Sequence, residues 1–356
     1  MNIKEELKNF RDRVDPELEF FFDRIIADSK KNNFITTDAL KQVKKITLSG
    51  GKRLRPALMY WGYRGVGGES EKEIIKTSIS IELIHIFLLI HDDIIDNDKT
   101  RHGEKTIHTL YDQKGKKLCH GERDSRHFGN SIAIVVGDII GALGNRVLFQ
   151  SNFPPELVIQ ALSRLQDIVA RVAVGEAQDV FIEHRRRSTE PEVLDMYKNK
   201  TAKYTIEGPL HLGAILAGAD EKVLRAISKF SVPIGIAFQI QDDILGVFGN
   251  ERKIGKPVGS DIREGKQTLL VVRALEKGTG EQKKIIRKLL GKKNITLKEI
   301  ELFKKVIRET SALEYSQDLA RKLIGEGKEA LKGLSFKKEA KDFLSGVADY
   351  MMEREI

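Results

Sequence analysis

Two acidic clusters carry the most pointed chemistry in this sequence. The first reads His91-Asp92-Asp93-Ile94-Ile95-Asp96-Asn97-Asp98, the second Gln239-Ile240-Gln241-Asp242-Asp243-Ile244-Leu245-Gly246. Asp92 and Asp96 are four residues apart, so a helix would set both carboxylates on one face, a turn apart. Like charges at that spacing destabilise a helix unless a cation offsets them. Oxygen donors without thiols suit a hard ion such as Mg²⁺, which keeps waters and shares carboxylates with substrate phosphates. A single Asp pair is more often solvated surface or a cap. Here each pair ends a strongly apolar stretch, 79–90 and 232–240, where exposed surface is not expected. Two such pairs facing one cavity would hold metals from opposite walls. An EF-hand starting at Asp96 fails, because Arg101 stands where that loop needs Gly and Ile107 where it needs Glu.

Basic loops accompany the acids. Gly50-Gly51-Lys52-Arg53-Leu54-Arg55-Pro56 puts three cations on a glycine-initiated turn before a helix, where amides, helix terminus and side chains together suit a diphosphate. A second set, from Lys256 through Gly259 and Arg263 to Lys266, follows the second acidic motif. Either alone reads equally well as a flexible basic loop. Acid clusters each accompanied by a basic loop point to a substrate carrying several phosphates.

The elements that must position these groups are helices. Apolar residues recur at helical spacing through 3–29, 37–46, 56–65, 71–98, 130–150, 155–183, 190–217, 221–248, 263–276, 280–290, 297–326 and 337–353. Thr36-Thr37-Asp38 offers cap chemistry for the second of these. Period-two strand patterns are hard to find, so the expected class is all-α. Residues 112–127, charged and glycine-bearing, read as a mobile surface loop. Cys119, His120 and His127 fall there, too few and too scattered for a zinc site. A single cysteine excludes a disulfide framework. The 356 residues are 40% hydrophobic, and no Pro/Gly/Ser-rich linker divides them, so a single domain over 1–356 is expected. The net charge of +9 is spread among acids, aromatics are 7%, and no nucleic-acid motif is present, which makes nucleic acid the weaker partner and leaves an anionic membrane surface or a polyphosphate substrate open, for charge alone does not decide. The N-terminus has no apolar signal core, and no uninterrupted apolar run approaches the ~18 residues of a spanning helix. The longest, 79–90, is broken by Glu82 and His85. A cytoplasmic protein without a transmembrane segment is expected.

Taken together, GGKRLRP at 50–56, HDDIIDNDKTRHG at 91–103, Lys200-Thr201, FQIQDDILGVFG at 238–249 and GKPVGSDIREGKQT at 255–268 resemble the trans-isoprenyl diphosphate synthases, or polyprenyl synthetases, over essentially the whole chain. The order of these motifs is far more specific than any one of them. The resemblance implies a single-domain helical bundle around a deep central cavity, usually a homodimer, most like a geranylgeranyl diphosphate synthase. It implies that Lys52, Arg55 and His85 hold isopentenyl diphosphate, with His102 at a position where the family usually has a second Arg. Asp92 and Asp96 would bind two Mg²⁺ bridging the allylic diphosphate and Asp242 a third ion, with Mn²⁺ as a substitute. Arg101, Lys200, Thr201, Gln239, Asp243, Lys256 and Lys266 would serve the allylic diphosphate. The implied reaction ionises the allylic C–O bond, adds the isopentenyl double bond to the cation and releases a proton.

Two departures stand out. His102 is a weaker phosphate partner than Arg, and Gly246 replaces the third Asp of the second motif. Product length is read on the helix before Asp92. Phe87 lies five residues upstream and the fourth position is Leu88, with Ser80 on the stripe of Phe87 and Leu83 and Ile84 beside it. Within the family that arrangement resembles enzymes that stop at C20, with Phe87 as the floor; an ordinary core Phe is the bland alternative, and farnesyl or longer products are the alternatives in length. A class I terpene cyclase would need an Asn/Asp, Ser/Thr, Glu motif that 242–250 does not match. A His-Asp phosphohydrolase would leave the second motif and Lys200-Thr201 without a task. A non-catalytic partner subunit would have no use for Asp92, Asp96 and Asp242.

Overall fold

The computed structural model describes residues 2–32, 34–119, 121–249 and 259–352. Lys256, expected at the allylic diphosphate, and His120 lie outside them. The chain divides into two compact units.

The first unit comprises residues 2–63 and 68–162. Helices α1 (Ile3–Asn32), α2 (Phe34–Ser49), most of α3 (Leu54–Val66), α4 (Glu71–Ile95), α5 (Ile107–Gly115) and α6 (Glu122–Phe149) build it, with two-residue strands β1 (Thr100–Arg101) and β2 (Glu104–Lys105) paired as a hairpin. α4 is apolar nearly all round, which is the pattern of a helix buried on all sides. It packs between α1 and α6, and Ile74, Ile81, Leu83 and Ile84 are fully buried. Gly141 on α6 makes room for Phe87, for a Cβ there would stand 3.2 Å from the ring. Glu82, the charge that interrupts the apolar run, is answered from a distant segment. Arg53 donates through Nη1 to Glu82 at 2.9 Å, through Nε to Asp15 at 2.6 Å and through Nη2 to the Thr47 carbonyl at 2.6 Å.

Of the described residues, the second unit comprises 64–67, 163–249 and 259–352. It holds most of α7 (Pro155–Arg185), then α8 (Glu190–Tyr197), a π-helical stretch Lys198–Glu207, α9 (Gly208–Leu216) and α10 (Glu221–Phe248). After these come α11 (Ser260–Glu264), α12 (Leu269–Lys277), α13 (Gly280–Leu289), α14 (Leu297–Glu309), α15 (Ala312–Lys332) and α16 (Lys338–Met352). α10 is its central helix, packed on α15 and on the π-helical stretch, with Ile227, Phe230 and Ile234 fully buried. Asp220 caps α10 by accepting from the Val223 amide at 2.9 Å. Thr279 with Gln282, and Thr296 with Glu299, form capping boxes that start α13 and α14.

The all-α expectation holds, with the hairpin as the sheet described. Several boundaries differ. α5 runs on to Gly115 and α6 begins at Glu122, so both ends of the expected 112–127 loop are helical, with charged residues there lying on the helical faces. Thr37 lies inside α2, where its hydroxyl meets Ser29 Oγ at 2.8 Å instead of capping. The expected helix 297–326 breaks at Ser311, whose φ of 55° is left-handed, and 263–276 divides around the extended Thr268. By length and composition α4, α6 and α10 are each apolar enough to cross a membrane, against the run-based expectation. In α4 67% of the most apolar window is buried within the protein, but in α6 only 39%, leaving Ile134, Val135 and Phe149 exposed.

Candidate active site

In the first unit the acidic motif sits on the last turn of α4 and just beyond it. Asp96 is the C-cap, and its amide still donates to the Asp92 carbonyl at 2.8 Å, so the one-turn spacing of the two carboxylates survives. Asn97 takes φ 56°, with Asp98 N–H reaching the Asp93 carbonyl at 2.9 Å and Asn97 N–H the Ile94 carbonyl at 3.3 Å. That is a Schellman closure, made here by Asn in the left-handed conformation. Asp92 keeps 25% of its side chain accessible, whereas Asp93 keeps 5% and turns inward. Arg101 holds Asp93 with Nε at 2.9 Å and a close Nη2 contact, and reaches Asp98 at 3.2 Å. Burial pushes Asp93 up to about 7 even with that guanidinium beside it.

A cationic cluster lies alongside. His85 stands among Arg55, Arg101, Arg53 and His102; burial first, and then their charges, hold its imidazole well below the ordinary value. His102 has φ 51°, and its Nδ1 lies 3.3 Å from the Ile46 carbonyl, so part of its hydrogen-bonding capacity serves the end of α2. A cavity of about 80 Å³ opens here, walled by Thr47, Glu82, His85, Leu89, Arg101 and His102. Of the three cations in GGKRLRP, Lys52 is exposed and Arg55 partly so. Arg53 is not available to a phosphate: only 2% exposed, it is committed to Asp15, Glu82 and Thr47. Phe87 packs edge-on against His91, centroids 4.9 Å apart, and against Gly141; Ile84 and the buried Ser80 approach Gly144, while Leu88 is partly accessible.

In the second unit Lys200 and Thr201 belong to the π-helical stretch, a winding often found at functional sites. Two glycines admit it. A Cβ on Gly175 of α7 would stand 2.4 Å from the Lys200 nitrogen, and one on Gly235 of α10 2.4 Å from the Ala202 Cα. Lys200 Nζ is gripped by Asp179 at 2.7 Å and Glu176 at 2.8 Å. Thr201 donates to Gln239 Oε1 at 2.6 Å, and Gln239 donates to Asp243 Oδ1 at 2.8 Å. Asp242 is exposed, but Asp243 is 7% exposed and its other oxygen takes the Tyr197 hydroxyl. Both Asp243 carboxylate oxygens are thus engaged inside the fold, one by Gln239 and the other by Tyr197. Lys266 lies 3.5 Å from Glu264. Where the second motif has Gly246, the Asp261 carboxylate comes in, its Oδ2 only 2.0 Å from the position a Cβ would take.

Sequence reasoning missed Glu176, Asp179, Tyr197 and Asp261. The first two had a signal, acids three residues apart just after Gly175; Tyr197 had only its place three residues before Lys200. Among the described residues no three His, Cys, Asp or Glu side chains converge on a ready-made ion cage. The donors present are oxygens, and Asp92 and Asp96 stand one turn apart, which suits Mg²⁺ completing its shell with water and phosphate oxygens.

The comparisons with known proteins agree with this chemistry. The chain is 36% identical over 293 residues to a geranylgeranyl diphosphate synthase of Sulfolobus acidocaldarius, covering 82% of this chain and 83% of that one. It is 35% identical over 307 residues to a geranylgeranyl pyrophosphate synthase of Geoglobus acetivorans, covering 86% and 88%. A solved geranylgeranyl pyrophosphate synthase from Corynebacterium glutamicum, complexed with isoprenyl diphosphate and magnesium, superposes with a TM-score of 0.91 at 31% identity over 98% of this chain and 99% of that one. The Polyprenyl synthetase signature spans residues 37–309, taking in both acidic motifs, the two basic loops and the Lys200-Thr201 pair. The chain belongs to the polyprenyl synthetase family of all-α prenyltransferases.

Proposed function

We propose that the protein condenses isopentenyl diphosphate with allylic diphosphates of the C5, C10 and C15 series in trans and stops at geranylgeranyl diphosphate. The observation that carries this reading is a shared division of labour in the two acidic pairs. In each, the first Asp, Asp92 or Asp242, is accessible, while the second, Asp93 or Asp243, is turned into the fold as an anchor. Solvated surface pairs would not sort this way twice.

Asp92 and Asp96 would hold Mg²⁺ on the allylic diphosphate and Asp242 a further ion, about three by family resemblance, with Mn²⁺ as a substitute. Bound Mg²⁺ would neutralise charge on the departing diphosphate. Lys200, Lys266 and Arg101 add fixed positive charge to that leaving group, with Lys256 assigned alongside them and Thr201 and Gln239 as hydrogen-bond partners. Lys52, Arg55, His85 and His102 take the diphosphate of isopentenyl diphosphate. As the allylic C–O bond breaks, its electron pair stays with the diphosphate. The isopentenyl double bond supplies the electrons of the new C–C bond, and the proton released goes to the departing diphosphate. Phe87, with Ser80, Ile84 and Leu88 around it, sets the chain length from its seat against Gly141.

The same reading makes the chain one domain, active as a cytoplasmic homodimer. The exposed Ile134, Val135 and Phe149 of α6 support a covered helix face. Incubation with Mg²⁺, isopentenyl diphosphate and each allylic diphosphate, followed by sizing of the products, tests the function. A C20 diphosphate is expected. Free phosphate alone, hydrocarbons, or no turnover would each overturn it. Phe87→Ser should lengthen the product beyond C20; an unchanged length removes Phe87 from the floor.

A further inference from the structure

Tyr197 is absent from every functional motif, yet it occupies the junction of the second unit's diphosphate residues. It is the last residue of α8, three before Lys200, and only 1% exposed. Its hydroxyl donates to Asp243 Oδ2 and accepts the Leu269 backbone N–H at 2.9 Å. Leu269 opens α12, directly after the 265–268 segment that carries Lys266. On its other side Asp243 accepts from Gln239 at 2.8 Å, and Gln239 in turn accepts from Thr201 at 2.6 Å. The donors therefore run in two arms that both end on one carboxylate: Thr201 to Gln239 to Asp243, and Leu269 to Tyr197 to Asp243. Four segments are tied together: the end of α8, the π-helical stretch, α10 and the start of α12.

We propose that Tyr197 is a positioning residue for the allylic diphosphate, fixing through Asp243 the mutual placement of Thr201, Gln239, Asp242 and Lys266. The alternative is that it fills core volume. A phenyl ring would fill that volume equally well, but would leave Leu269 N–H without its acceptor and Asp243 with one donor fewer. A buried network that is only partly satisfied rearranges, and a displacement near 1 Å suffices to weaken a bound anion. Thr201 and Gln239 in one arm, and Lys266 three residues before the Leu269 end of the other, belong to the allylic side of the proposed assignment. None belongs to the set assigned to isopentenyl diphosphate, Lys52, Arg55, His85 and His102. The inference thus rests on the proposed function and predicts a split between two substrates.

The test is steady-state kinetics of Tyr197→Phe with farnesyl diphosphate and isopentenyl diphosphate, paired with calorimetric binding of inorganic diphosphate in the presence of Mg²⁺. Wild-type turnover checks the function itself, so its failure is separate from a failure of the inference. The expected result is a KM for farnesyl diphosphate raised about tenfold, the loss of roughly one charge-assisted hydrogen bond. The KM for isopentenyl diphosphate should stay within about twofold, and diphosphate binding should weaken in parallel with the allylic KM. Asp243→Asn should give the same split, and the double variant should be no worse than the single ones. Unchanged KM values with only a lower melting temperature, or equal rises for both substrates, would overturn the proposal. If Tyr197→Phe does not fold, Asp243→Asn carries the same comparison, and the absence of a split there is equally fatal.

Discussion

Gly246 is the position where helix propensity and packing make opposite predictions. It lies in the last turn of α10, and replacing Gly by Ala inside a helix ordinarily gains up to about 1 kcal/mol. Here a Cβ would stand 2.0 Å from Asp261 Oδ2 and 2.7 Å from its Cγ. The Asp261 backbone cannot readily retreat, since its carbonyl accepts from both Gly265 and Lys266 amides at 3.0 Å. Overpacking of this kind costs about 1–3 kcal/mol, at the lower end if the carboxylate swings aside. Gly246→Ala should therefore lose about 1 kcal/mol net, the packing term exceeding the propensity term. On an Asp261→Ala background the clash is gone, and the same substitution should gain up to about 1 kcal/mol. The sign reverses, with a coupling of about 2 kcal/mol. Restoring the family's acid, Gly246→Asp, adds a like charge four residues after Asp242, worth a further loss of about 0.2–0.5 kcal/mol, and should be worse than Ala. Urea unfolding followed by circular dichroism, with midpoints compared at a common slope, measures all of these. If Gly246→Ala stabilises both backgrounds alike, Asp261 does not occupy the space of the missing side chain and the reasoning fails.

Arg53→Met should cost about 3–5 kcal/mol, because it strands Asp15 and Glu82, the latter deep in α4; a loss under 1 kcal/mol in the same unfolding assay would mean the pair is not buried as described. His85, with its pKa held well below 6.5, should stay neutral throughout the physiological range. Because the folded pKa is depressed, its contribution to stability is complete above pH 6.5 and is lost as the pH falls from there toward the folded value. Nitrogen-15 spectra of the histidines would show this, and an imidazole titrating at or above 6.5 and assigned to His85 would refute it. Gly235→Ala should lose about 2–3 kcal/mol and depress turnover, since its Cβ meets the Ala202 backbone and not a mobile side chain end; unchanged stability and activity would show that the π-helical stretch does not need that approach.

The chemistry was legible in the sequence because it is carried by residue types at short spacing. Asp92 and Asp96, the glycine-initiated basic turn and Lys200-Thr201 can each be read from a few consecutive residues. What could not be read is which member of each acidic pair turns inward. That is settled by Arg101 for Asp93, eight residues away, and by Tyr197 for Asp243, forty-six away. Glu82 is intermediate: visible as an anomaly in an apolar helix, but explained only by Arg53, twenty-nine residues upstream. Periodicity found most of the helices, though not α5, yet could not find the π-helical winding of 198–207, since apolar spacing there does not distinguish it from an ordinary helix. The 112–127 segment misled through composition, because charge density marks solvent exposure and not the absence of a helix.

The reduced second motif is best understood as a relocation of charge. Losing the acid at Gly246 would ordinarily subtract a carboxylate from the end of α10, yet Asp261 brings one back from the start of α11 into the vacated volume. Its charge is felt locally: after burial, Asp261 is the strongest influence raising the pKa of Asp243, ahead of the adjacent Asp242. A carboxylate delivered from α11 is tethered to the 259–266 segment that also presents Lys266, so acid and base there move together. In a motif with all its acids on one helix, the basic loop could shift without disturbing them. Here Gly246 makes the placement of Asp261 depend on the same segment that carries Lys266, and glycine at that position is a condition of the arrangement.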